Sequence, residues 1–249
     1  IRETGAKEDD PRLVALNDHT NSKHILRQYV FHSHKGLDRI WLFSAEFNDY
    51  EFGLLPRHFY AALDAAKGEL TDEVRAHVPK GWWGVRWLSR LMLEGQPLPA
   101  TRALRVDALV EQKPRLVFAG EGTPARPHKW NRDLFAVLPY QLTPSRYAVA
   151  YYVVFPDAFH AWDPAKGPLD PARYDMPEQE LDVTLGNVRG TGSKVAARDL
   201  LADRDVPVTV VDARETSLTV RLRATDCPRV LVIDEARPGP VILEPRAAA

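Results

Sequence analysis

The chain has 249 residues, 45% of them hydrophobic, enough to bury a large core as one domain or two. Its 33 Lys and Arg stand against 34 Asp and Glu, a net charge of -1 with no long run of one sign, so nucleic acid is not an expected partner. Cys227 is the only cysteine, which leaves no disulfide framework or cysteine-based zinc site within one chain, and no run approaches the roughly 18 apolar residues that cross a bilayer.

Ile1 stands where an initiator Met would, and the first residues lack the basic start and apolar centre of a signal peptide, so further residues are expected upstream. Residues 22–34 predict a helix, because Ile25, Leu26, Tyr29, Val30 and Phe31 share an apolar face, and Gly36 supplies the stop. A short run rich in large apolar residues, 39–44, predicts a strand buried on both faces, followed by a polar, acidic loop over 46–53 and a second helix beginning near Phe59. Helix, strand, loop and helix in that order predict a piece of an α/β repeat.

The composition changes between residues 71 and 99, where Trp82 and Trp83 lead into a helical pattern through Val85, Trp87, Leu88, Leu91 and Met92. Beyond this connecting segment the runs 103–109, 115–119, 134–138, 146–155, 180–185, 206–211, 217–223 and 229–233 predict strands separated by turns. Leu218, Val220 and Leu222 alternate with Thr219 and Arg221, the pattern of a strand with one buried and one wet face, and strands at this spacing predict a β-sandwich.

The first part of the chain resembles the retaining glycoside hydrolases built on (β/α)8 barrels, of the clan A, family 39 type, whose seventh strand ends in a catalytic Glu set in Glu-Thr-Gly. Glu3-Thr4-Gly5 matches that setting, and the helix, strand and Phe52-Gly53-Leu54-Leu55 that follow are similar in order to the close of such a barrel. The resemblance implies an α/β plus all-β chain: a barrel fragment over 1–70, a helical connection over 71–100 and an accessory β-sandwich over 101–249. It implies hydrolysis of an O-glycosidic bond with Glu3 as nucleophile, a carbohydrate substrate, no cofactor, no metal, and an acid/base carboxylate on an upstream barrel segment not contained in this sequence. The alternative from another class is a non-catalytic β-sandwich that binds carbohydrate or braces its neighbour.

Glu46, Phe47 and Asp49, with Ser44 and Asn48, would share the barrel rim as substrate-binding groups, Phe47 stacking on a sugar face; Trp41, in mid-strand, reads as core. His19, His24, His32 and His34 lack the four-residue spacing that places two metal ligands on one helix face, and read as solvated or capping residues. Gly190-Thr191-Gly192-Ser193-Lys194 lacks the phosphate-loop spacing and reads as a hairpin turn between strands, Trp82 and Trp83 could form a sugar platform but read as packing at a junction, and Asn131-Arg132-Asp133 and Asp226 read as turn and interface residues. Localisation stays open, although secretion is common among enzymes that act on polysaccharides.

Overall fold

The computed structural model describes residues 10–36, 40, 55–95, 98, 101–154, 163 and 165–238. Four helices come first: α1 (Pro11–His34), α2 (Arg57–Ala65), α3 (Asp72–Ala76) and α4 (Lys80–Leu93). The strands follow as β1 (Arg105–Glu111), β2 (Leu116–Phe118), β3 (Lys129–Trp130), β4 (Phe135–Thr143), β5 (Arg146–Val153), β6 (Gln179–Gly186), β7 (Lys194–Asp199), β8 (Arg204–Val206), β9 (Thr209–Ala213), β10 (Ser217–Ala224) and β11 (Arg229–Asp234).

Helix α1 starts where Asp10 caps it, its carboxylate accepting from the Arg12 backbone N–H at 2.9 Å, with Pro11 in the first turn where no N–H is needed. Gly36, at φ +79°, follows the last turn in the left-handed conformation that suits glycine. The helix begins eleven residues earlier than its apolar periodicity predicts, because its N-terminal half buries the polar Asn17 beside Leu13 and Leu16. A tertiary partner, Asp175 for His19, adds to those few buried residues in holding that half.

Two antiparallel sheets face each other. One has the order β1-β6-β10-β9 and the other β4-β5-β11-β7-β8, with β2 and β3 forming a separate small pair. Leu181, Val183 and Leu185 from β6 and Leu218, Val220 and Leu222 from β10 meet Tyr147, Val149, Tyr151 and Val153 from β5 and Leu231 and Ile233 from β11 in one core. Strand β4 lies at a sheet edge, where Pro139 needs no ladder partner for a missing N–H.

The second face of the five-stranded sheet is covered by helices. Ala148, Ala150 and Tyr152 of β5 and Val230 of β11 pack with Ile25, Leu26 and Val30 of α1 and Val85, Leu88 and Leu91 of α4. Ser22 lies against Gly81 and Leu26 against Gly84, so α1 and α4 run parallel to each other. The two glycines set the spacing: a Cβ at Gly81 would stand 2.7 Å from the Ser22 Cα, and one at Gly84 would stand 2.7 Å from a Leu26 methyl. The Gly81 N–H also donates to the Ser22 hydroxyl at 2.8 Å.

This architecture corrects the expected barrel fragment. Every pairing between described strands is antiparallel, and among the described residues no helix–strand repeat closes into a barrel and the structure is mostly β. The physical reason lies in β5, whose residues 147–153 are apolar without a break and need cover on both faces. The helices predicted over 22–34 and from Phe59 are present, but the apolar face of α1 is used on that antiparallel sheet. The strand predicted over 39–44 falls almost entirely outside the described residues.

Candidate functional site

The most concentrated polar chemistry among the described residues lies where α1 meets the sandwich. Lys23 is buried in mid-helix, its side chain 4% exposed, and its ammonium contacts Asp226 Oδ2 at 2.5 Å, Asp175 Oδ1 at 2.9 Å and the Tyr174 carbonyl at 3.0 Å. Asp226 sits in the turn between β10 and β11 and is equally buried; its other oxygen accepts from the Met176 N–H at 3.2 Å. His19, one turn before Lys23, lies 2.6 Å from Asp175 Oδ1 through Nε2. One helix is thereby tied to two separate loops of the sandwich.

Burial alone would raise the Asp175 carboxyl, but hydrogen bonds from His19 and Lys23 outweigh it and hold the group at about 2. Cys227, next in sequence to Asp226, is fully buried, and desolvation drives its thiol far above the usual range, which makes it inert as a nucleophile.

A second cluster gathers around Asp18 on α1. Burial raises its carboxyl, partly offset by a hydrogen bond from the Ser22 hydroxyl at 3.2 Å. The charges it senses are Lys80, His19 and His58, with no second carboxylate among them. His58 on α2 and His77 at the end of α3 are in edge contact, ring centroids 5.2 Å apart, and burial followed by the charge of His77 lowers His58.

A third cluster joins the two ends of the sandwich. Arg102, just before β1, is ion-paired with Glu235, just after β11, and donates from Nε to the Tyr147 hydroxyl at 2.6 Å. Glu235 also accepts from the Arg189 backbone N–H at 2.6 Å. A fourth centres on Arg229, which donates to Asp199 at 3.0 Å and to Glu178 at 2.8 Å.

Glu3, Glu46, Phe47 and Asp49, with Trp41, Ser44 and Asn48, lie outside the described residues. The four histidines of α1 are not brought together: His19 meets Asp175, His24 meets Gln28 at 2.7 Å, His32 touches Phe31 and His34 touches Tyr140. No group of three or more metal-ligating side chains occurs among the described residues. Residues 190–194 form a turn with Gly192 at φ +74°, although it carries the chain from one sheet to the other rather than closing a hairpin. Asn131 is buried and fastens the adjacent loop, accepting from the Arg115 N–H and donating to the Lys113 carbonyl. No protein family, curated protein or solved structure matches the chain.

The role of Lys23 escaped sequence reasoning. A lone Lys on a helix is ordinarily solvated, and only its position on the buried side of α1, between Leu16 and Leu26, hinted otherwise.

Proposed function

We propose that the sandwich and its helical cover form a bracing module, and that the reaction it serves is retaining hydrolysis of an O-glycosidic bond with Glu3 as nucleophile. The bracing role rests on one observation: every buried Lys, Arg, Asp and Glu side chain among the described residues is held by an opposite charge. Lys23 pairs with Asp226, Arg102 with Glu235, Arg229 with Asp199 and Glu111 with Arg132. Such pairs fix geometry and leave none of these paired acids free for proton transfer.

The exposed face of the four-stranded sheet supports bracing over sugar binding. Its strands β1, β6, β9 and β10 contain no aromatic residue to stack on a sugar. Its charges are paired across strands instead, Arg221 with Asp182 at 2.8 Å and Arg223 with Glu180 at 3.2 Å, and the Thr184 and Thr219 hydroxyls meet at 3.0 Å.

The hydrolase reading rests on the Glu3-Thr4-Gly5 motif of the sequence. Retention requires a carboxylate that attacks the anomeric carbon and a second carboxyl about 5 Å away that protonates the leaving oxygen. The attack is tested without the second group by an activated fluoro-sugar glycoside bearing a dinitrophenolate leaving group, which departs unprotonated. Incubation followed by peptide mass spectrometry is expected to place one covalent sugar on Glu3 and none in Glu3→Gln. Absence of label, or label on another carboxylate, contradicts the assignment.

A further inference from the structure

The buried side of α4 consists of Gly81, Gly84, Val85, Leu88 and Leu91. At about 100° per residue, Lys80, Trp82, Trp83, Arg86, Trp87 and Arg90 occupy the opposite arc of about 160°. Lys80, Arg86 and Arg90 are exposed and the three indoles partly exposed. Trp82 and Trp83 meet edge to face with centroids 4.8 Å apart, and the Arg86 guanidinium lies 5.5 Å from each ring. Arg198 of β7 stands 5.8 Å from Trp87 but is already ion-paired with Asp203 and Asp205.

Two features distinguish this face from an ordinary solvated helix surface. Indoles are the largest apolar side chains, and three of them at the wet side of an amphipathic helix leave apolar area uncovered. The Arg86 and Arg90 side chains also have no carboxylate partner among the described residues, although Asp and Glu pair with most other arginines of the chain. The indoles hold the Arg86 guanidinium beside them, and its N–H donors suit the acidic group of a ligand.

We propose that this stripe binds an anionic polysaccharide, a chain carrying carboxylate or sulfate groups on sugar rings. The sugar rings would pack on the indoles and the acidic groups would accept from Arg86 and Arg90. The area favours a linear ligand over a folded partner: an eleven-residue stretch of helix is about 16 Å long and about 10 Å wide. That is well short of the roughly 800 Å² per side of a stable protein interface. The inference stands apart from the bracing and Glu3 readings, because it concerns a surface neither of them uses.

The test is titration of the full chain with polygalacturonate, dextran sulfate and neutral dextran, and with phosphatidylserine vesicles, followed by tryptophan fluorescence and calorimetry. Binding is expected to at least one of the two anionic polymers, weakening with added salt, with neutral dextran bound far more weakly. The polymer that binds identifies the acidic group as carboxylate or sulfate. Arg86→Gln with Arg90→Gln is expected to lower that affinity roughly tenfold or more while the thermal midpoint stays unchanged, since both side chains are exposed. Trp83→Phe, which keeps the packing, is expected to lower it less. Failure of both anionic polymers to bind, equal binding by the double Arg variant, equal binding of neutral dextran, or binding confined to the vesicles overturns the proposal.

Discussion

Replacing Glu235 by Ala is expected to destabilise the protein by about 3–5 kcal/mol, because it strands the Arg102 guanidinium in the interior. The Arg102 side chain is 4% exposed and that of Glu235 fully buried, so water cannot take over the lost partner. The pair also organises its surroundings: Tyr147, the Arg189 N–H and the Gln141 side chain all bond to one member or the other. Urea denaturation checks this as a lower midpoint at unchanged slope. Arg102→Met with Glu235→Leu removes both charges and is expected to recover most of the loss. A single-variant effect below about 1 kcal/mol, the worth of an exposed pair, would show that the site is solvated.

Lys23→Met is expected to cost a similar amount, about 3–5 kcal/mol, by leaving Asp226 buried without its cation. Its signature is a change in acid stability. The Asp175 carboxyl is lowered to about 2 from an ordinary 3.8, so its contribution is complete above that ordinary value and is lost as pH falls toward about 2. Removing Lys23 takes away one of the hydrogen bonds that hold it down, and the stability of the variant should depend less steeply on pH across that window. Unfolding midpoints measured across it check the claim. Parallel pH profiles for the two proteins would mean that Asp175 is held by other groups.

The parts of the fold legible in the sequence are those where local pattern and tertiary position agree. The alternation of Leu218, Val220 and Leu222 reads directly as β10, and the helical spacing of Leu88 and Leu91 as α4. Strand β7 was not legible: Lys194-Val195-Ala196-Ala197-Arg198-Asp199 has one β-branched residue, and it is a strand because it pairs with β11 on one side and β8 on the other. The α/β reading failed because the order helix, strand, helix does not state which surface a helix covers. The unbroken run 147–153 held the missing information, since a strand apolar on both faces requires a second layer, and Ala148 and Ala150 are small enough to let helices approach.

The candidate site was the less legible part. Lys23, Asp175 and Asp226 come from three distant stretches of sequence, and no spacing rule connects them. Asp226 could be read as a turn and interface residue, which matches its position, but its cation could not be named. The candidate nucleophile Glu3 and the rim residues Glu46, Phe47 and Asp49 rest on sequence alone.

The central claim is that the helical cover and the sandwich act as one rigid brace, and native-state hydrogen exchange tests it most directly. Amides of Leu26 and Val30 in α1 are expected to exchange with the same opening free energy as those of Val149 and Leu231 in the sheet, because all four sit in shared or adjoining cores. Exchange of the α1 amides through an opening at least about 2 kcal/mol easier than that of the sheet would make the helices a separately unfolding layer and contradict the account.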